Sequence, residues 1–386
     1  MMRKRPAFRT RVVKKITDIP IDDWNKVFPD VFGGYQLSRT LDESNIEQFS
    51  FYYIMVYDRK TPVGAAPCFM MDYSLDTSIG GALKRVTMAV KRLMPNAFSL
   101  KALICGTPLT PGSIGIKGGT ETIVKAILRR MERIAKKNRA HIIAFKDFDN
   151  SYTPALDPLR RCGFTKLDGL PIAEMNVRFK DFEEYVAGLS GENRYGLRRK
   201  LKNKHGHGPI SMEVKDSLEG ADLEDAYALY IEVQVKHGMN FEVMPMDFFK
   251  AVSANMPGCA KFFLWRIDGK LVMFLFSLIS KEMFSDCQVG FDYSVAHKHN
   301  LYFVQFRDTL EWCIRNKIKK YEMGVSGYET KRRLGFDFVP HYLYVRLRNR
   351  MLRPVFNLAC QFLKFENFDP ALKKVKEKRR HHGPPD

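Results

Sequence analysis

The chain has 386 residues, 45% of them hydrophobic and 27% charged, which is enough for two or three domains with real cores and excludes a disordered or collagen-like protein. Its 63 Lys and Arg against 43 Asp and Glu leave a formal charge of +20, so anionic partners are expected: nucleic acid, phospholipid headgroups or a phosphorylated small molecule. Seven scattered cysteines without C-x-x-C spacing read as reduced thiols in a cytosol, and the longest apolar stretch, 271–279 with Ser277 inside it, is far short of the roughly 20 residues that span a bilayer.

The N-terminal arm carries Arg3, Lys4, Arg5, Arg9, Arg11, Lys14 and Lys15 with no apolar run behind them, unlike a secretory signal. Residues 51–73 predict a β-hairpin turning at Asp58-Arg59-Lys60. Residues 82–94 then place Leu83, Val86, Ala89, Val90, Leu93 and Met94 on one helical face and Lys84, Arg85, Lys91 and Arg92 on the other. That is the pattern of a helix lying on anionic lipid, and equally of a surface helix with a solvated basic face. The glycine-rich stretch Pro111–Thr120 leads into a helix predicted over Thr122–Lys137, where its amides either cradle a phosphate or simply connect two elements. A short strand His141–Phe145, the sequence L-R-R-C-G-F at Leu159–Phe164 and an alternating strand Ile172–Phe179 follow.

From Ser190 to Lys204 the chain is basic, S-G-E-N-R-Y-G-L-R-R-K-L-K-N-K, with no acid between Arg194 and Lys204. Arg194, Arg198 and Arg199 are candidates there for holding phosphates. Residues 262–280 predict a second hairpin, turning at Asp268-Gly269-Lys270, followed by a helix over Phe303–Lys317, a strand Lys320–Gly324, the sequence K-R-R-L-G-F at Lys331–Phe336 and a strand His341–Leu347. The same elements thus recur in the same order, which marks a tandem duplication of one α/β unit. The expected division is a first unit over 1–180 with an inserted basic amphipathic segment at 72–120, a second over 181–350, and a C-terminal amphipathic helix and basic tail over 351–386. That helix has an apolar face of Val355, Phe356, Leu358, Ala359, Phe362 and Leu363 beside Arg346, Arg348, Arg350 and Arg353.

This element order resembles the GNAT N-acyltransferase fold, and two such units in one chain resemble the Fem-type (FemAB-like) transferases. The likeness is sharpest at Y-E-M-G-V-S-G-Y-E-T-K-R-R-L-G-F, Tyr321–Phe336, and at the basic segment 190–204 that opens the second unit. It implies an α/β (α+β) fold of tandem GNAT-like units, each a mixed, mostly antiparallel sheet flanked by helices, with the second unit catalytic. One departure concerns the phosphate-binding loop Q/R-x-x-G-x-G/A of GNAT enzymes, in whose place Gly290–Asn300 reads G-F-D-Y-S-V-A-H-K-H-N.

Acyl transfer to an amine needs a base for the ammonium proton, donors facing the carbonyl oxygen and an acid for the leaving group. Glu322 on the strand is a candidate base or a surface residue of an edge strand. Tyr328 and Glu329 lie in the segment leading to Lys331, the position the family pattern marks, which is a candidate to bind a phosphate or carboxylate or is a helix-surface lysine. His299, and less so His297, stand before the second unit's main helix, whose N-terminus would keep an imidazole neutral as a base requires, or are solvent-exposed loop histidines. His205 and His207 lack further ligands at a suitable spacing, so no metal is expected, and no G-x-S-x-G, H-E-x-x-H, Walker or dinucleotide motif occurs. The expectation is an N-acyltransferase with no permanently bound cofactor. It moves an acyl group from a thioester donor (acyl-CoA as co-substrate, or acyl carrier protein) to the amine of an amphiphilic acceptor such as a sphingoid-type base in lipid biosynthesis. It is expected in the cytoplasm, peripheral on the inner face of the cell membrane. Two alternatives stand beside it: a Fem-type transferase using aminoacyl-tRNA on a peptidoglycan precursor, and a non-catalytic basic module binding membrane or nucleic acid.

Overall fold

The computed structural model describes residues 8–28, 34–74, 99–202, 210–237, 243–362 and 372. The expected interfacial helix at 82–94, His205, His207 and the basic tail at 373–380 lie outside the described residues. The chain forms two compact units, one of residues 1–42, 47–169 and 341–364, the other of 43–46, 170–340 and 365–386.

In chain order the strands are β1 (Arg9–Val13), β2 (Ser50–Asp58), β3 (Thr61–Ser74), β4 (Ser99–Cys105), β5 (Gly115–Ile116), β6 (Ile142–Asp149), β7 (Thr165–Asp168), β8 (Ile172–Asn176), β9 (Ser211–Lys215), β10 (Ala260–Ile267), β11 (Lys270–Ile279), β12 (Met283–Phe291), β13 (Lys320–Glu322), β14 (Asp337–Val339) and β15 (His341–Leu347). The first unit's sheet runs β1-β2-β3-β4-β6-β15-β7 with β5 added to β3, and the second unit's runs β14-β8-β13-β12-β11-β10-β9. Both are antiparallel except for one parallel pair each, β4 with β6 and β12 with β13. Both expected hairpins form, as β2-β3 and β10-β11.

Strand alternation assigns the faces. On β2, Tyr52, Ile54 and Val56 pack toward the helix Thr120–Lys137, while Tyr53 and Met55 meet Trp24 and its neighbours on the other side. On β11, Met273 and Leu275 join the core beneath the helix Leu301–Arg315, while Phe274 and Phe276 meet Phe249 and Phe248 of the helix Met246–Asn255 edge to face. The helix Gly220–His237 lies so close on β12 that a Cβ at Gly290 would come within 2.7 Å of the Leu229 backbone.

The unit boundary differs from the expected 180/181: it falls after Gly169, and the closing strands are exchanged. Strand β8, expected to close the first unit, pairs with β13 and β14 in the second. Strand β15, expected to close the second, lies between β6 and β7 in the first. Alternation of apolar residues decides that a segment is a strand and which face is buried, but not which sheet receives it.

The helix Arg353–Phe362 belongs to the first unit, and the arginines before it do not form one basic face toward solvent. Arg346 is 6% exposed, ion-paired with Glu132 at 2.7 Å and bonded to Cys162 O. Arg348 donates to Ala135 O and Ala140 O at the end of the helix Thr120–Lys137, where a cation meets the negative pole of the helix. Arg353 donates to Leu347 O. Arg350, Met351, Leu352 and Leu358 remain exposed.

Candidate active site

The second unit's parallel pair is short. Strands β12 and β13 are in register at Met283 with Lys320, Phe284 with Tyr321, and Ser285 with Glu322, and there the ladder stops. Strand β12 continues to Phe291 against β11, with the register shifting at Phe276/Ser277 so that Cys287 is an extra residue on the β12 side. Past Ser285, therefore, β12 has a ladder partner on one side only, and its backbone groups on the other face a gap that opens at the end of β13.

Glu322 stands at the mouth of this gap. It is 7% exposed and accepts a hydrogen bond from Ser285 Oγ at 2.8 Å across the last rung of the ladder. Burial pushes its carboxyl up to about 7, against the pull of Ser285, and nearby Glu174 pushes the same way. Strand β13 is internal, between β8 and β12, so Glu322 is not a residue of an edge strand. On the other sheet face the next residue of β12, Asp286, is half-buried with its Oδ1 shielded from solvent, its Oδ2 accepting from Tyr321 Oη at 3.1 Å and Gln305 Nε2 at 3.2 Å. Burial pushes this carboxyl up to about 7 as well.

Lys331 belongs with these carboxylates. It is 3% exposed and donates to Met323 O at 2.6 Å and Gly324 O at 3.3 Å, so its ammonium is turned in to the end of β13 rather than out toward a ligand phosphate. Desolvation lowers its proton affinity to about 8, while Asp286 and Glu322 oppose that. Three ionisable groups thus share one buried region with affinities drawn toward neutrality.

The other expected site residues are placed differently. Glu329 pairs with Arg332 and Arg333, which hold its carboxyl down at about 2, so it has no affinity for a substrate proton and does not suit a base. Tyr328 is buried, its hydroxyl donating to Pro171 O at 3.0 Å and its ring packed on Phe338. His299 is half-buried in the turn before the helix Leu301–Arg315, its amide bonded to Val295 O, and the side-chain hydrogen bond at Glu322 comes from Ser285 rather than a histidine. Arg194 turns inward to Ala187 O and Leu189 O, Arg198 pairs with Glu183, and Arg199 lies over the Tyr195 ring. From the same helix, Gly191–Leu201, exposed Lys200 reaches the Phe303 ring at the start of the helix Leu301–Arg315.

The duplication supplies an internal control. Both main helices end alike, with Asn138 and Asn316 bonding back through their side chains at 2.8 Å, and Arg139 and Lys317 at φ +56°. Both short helices end at a left-handed glycine, Gly163 or Gly335, with Phe164 N bonded to Leu159 O and Phe336 N to Lys331 O. Counting from these matched turns, Ala144 stands where Glu322 does, Ile143 where Tyr321 does, Ile127 where Gln305 does and Leu159 where Lys331 does. The two parallel ladders then put Cys105 opposite Asp286. All five counterparts are buried and none is charged. The fold therefore closes without the second unit's polar set, whose burial is costly and points to function. Asp286 and Gln305 escaped the sequence reading because no motif surrounds them; a residue-by-residue alignment of the halves on the two Asn turns would have exposed them.

The first unit's equivalent gap is occupied by the chain itself. Gly112 N bonds to Asp147 O, and a Cβ on Gly112 would lie 2.0 Å from Lys146 O and 2.7 Å from the Phe148 ring. Part of the glycine-rich loop expected to cradle a phosphate is thus packed against β6; Gly118 and Gly119, both at positive φ, lead into the helix.

Residues 191–332 match the family model of the acetyltransferase (GNAT) domain. The fold is shared with FemX (TM-score 0.57, 11% identity, 88% of this chain and 98% of that one). It is shared also with the C-terminal domain of an Agrobacterium fabrum protein named as a lysylphosphatidylglycerol synthetase (0.52, 13%, 88% and 96%), and with a tandem GNAT protein of the clavulanic acid biosynthesis pathway (0.50, 9%, 88% and 98%). A Mycobacterium tuberculosis protein named as 8-amino-7-oxononanoate synthase 2 is 23% identical over 322 residues, 81% of this chain. The chain spans 42% of that relative's length. Residues 191–332 are thus GNAT-like in sequence, and the chain as a whole shares the fold of FemX and of a tandem GNAT protein.

Proposed function

We propose that the second unit transfers an acyl group from a thioester to an amine, with Glu322 as general base. The observation that carries this is the buried Glu322 carboxylate at the point where β12 and β13 part. The open edge of β12 beyond Ser285 suits an extended, amide-bearing donor arm, which pairs with a strand edge as another strand would. The start of the helix Leu301–Arg315, with Lys200 beside it, offers positive potential for the donor's phosphates, as acyl-CoA requires. Glu322 takes the ammonium proton, the free amine attacks the thioester carbonyl, the C–N bond forms, and the C–S bond breaks to release a thiolate, which takes the second proton that the nitrogen gives up as it becomes an amide. A base near 7 in place of an ordinary glutamate narrows the gap to an alkylammonium by roughly 3 kcal/mol. No covalent enzyme intermediate is required.

We further propose an amphiphilic acceptor, a long-chain amine, and work at an anionic membrane surface. Two likenesses support this. The name 8-amino-7-oxononanoate describes an amine beside a ketone on an aliphatic chain, and lysylphosphatidylglycerol is a lipid. Purified protein should release thiol from acyl-CoA only when a long-chain amino alcohol is supplied, with the amide found by mass spectrometry. Activity confined to aminoacyl-tRNA and abolished by RNase would overturn the reading in favour of Fem-type transfer.

A further inference from the structure

Asp286 has no part in the chemistry above, yet it is among the most expensively placed groups in the unit. It lies beneath the helix Leu301–Arg315, bonded to Tyr321 and Gln305, and Gln305 also reaches Thr309 Oγ1 at 3.3 Å. Its Oδ1 has no partner, nor has the hydroxyl of Ser277, its neighbour across the β11-β12 ladder, nor that of Tyr302, one turn before Gln305. In the first unit Cys105, Ile127, Met131 and Ile143 fill the equivalent places for Asp286, Gln305, Thr309 and Tyr321 without charge. A carboxylate retained where the duplicated fold stands without one serves something other than stability.

The charges around it indicate what. Lys331, anchored on Met323 O and Gly324 O, interacts with both Asp286 and Glu322, and the two carboxylates repel each other. Without Asp286, Glu322 would be the chief counter-ion of a buried ammonium and would hold its proton weakly. Facing Asp286 are Tyr302, Gln305 and Cys313 from the helix, Tyr321 from β13 and Ser277 from β11, and beside it on β12 is Cys287, whose thiol burial pushes up. Its remaining charged neighbours are Lys331 and Glu322, and Glu322 in turn faces Glu174 and Lys320. Burial keeps Tyr302, Tyr321 and Cys313 protonated.

We propose that Asp286 is a positioning residue of the acyl-transfer centre: it shares the Lys331 cation from behind the strand break and so leaves Glu322 able to take a proton. The proposal rests on Glu322 being the base, and the test separates the two. In the full chain labelled with ¹³C at Glu and Asp carboxyl carbons, the Glu322 resonance, assigned through Glu322→Gln, should titrate in the neutral range in two steps coupled to Asp286. In Asp286→Asn, which keeps an acceptor for Tyr321 and Gln305, its midpoint should fall on the order of one pH unit. The acid limb of kcat/KM should move the same way, with a plateau about 10-fold lower. A single-step wild-type titration, or a midpoint unmoved by Asp286→Asn, overturns the proposal whatever the activity. A shifted midpoint in a protein that transfers no acyl group leaves Asp286 coupled to Glu322 and overturns the base assignment instead.

Discussion

At the scale of residues, the site is a compromise between proton affinity and stability. Glu322→Gln should lower kcat about 100-fold or more while leaving the fold intact, because the amide still accepts from Ser285 but takes no proton. In the wild type kcat/KM should rise with pH and level off above about 7, the value to which burial pushes Glu322. The same shift has a signed effect on stability. A carboxyl that binds its proton more tightly folded than unfolded favours the folded state at low pH, and that contribution is lost as pH rises from about 4 through about 7. Thermal denaturation should therefore show the Tm of Glu322→Gln exceeding the wild type by more at pH 8 than at pH 5. Glu329→Gln should change kcat less than about threefold, since its carboxylate is committed to Arg332 and Arg333 on an exposed helix face. Family likeness marked Lys331, and Tyr328 and Glu329 entered as its neighbours, but adjacency along a helix does not say which side chain turns inward. Only packing separated the buried Lys331 from the solvated Glu329.

At the scale of elements, the two units show one scaffold with and without an inward-turned polar set. Leu159→Lys would put into the first unit the cation that the second carries, without Asp286 or Glu322 to compensate it, and should cost about 3 kcal/mol or more in urea unfolding. Gly112→Ala tests how firmly the loop fills the first unit's gap. Its Cβ would collide with the Lys146 carbonyl, and about 1–3 kcal/mol should be lost with no new acyl-transfer activity. The hairpins, main helices and Gly-Phe turns were legible because each has a local cause: a tight turn, a 3.6-residue period, a left-handed glycine. The β12 extra residue and the length of the parallel ladder have no such local signature. They arise from how neighbouring strands pair, and they decide where the gap opens.

At the scale of the whole molecule, the exchange of β8 and β15 binds the halves of the sequence together. A chain ending at Pro340 keeps the complete expected first unit but lacks β15, an inner strand of its sheet, and β6 and β7 lose their shared partner. Such a truncation should lose the first unit's cooperative transition in circular dichroism, whereas removing only residues 373–386 should not. The +20 charge also reads differently in three dimensions. Arg346, Arg348 and Arg353 are spent on carbonyls and a carboxylate within the first unit, and Arg194 on two carbonyls, while Lys200 and Arg350 stay exposed. Composition by itself set only the expectation of an anionic partner, while periodicity and repetition determined tandem α/β units, because these depend on residue type and spacing alone. Which strand completes which sheet, which cations face solvent, and that Glu322, Asp286 and Lys331 share one buried region were decided by tertiary structure. Those depend on contacts between residues far apart in the chain, and burial, which shifts the proton affinities, exists only once those contacts have formed.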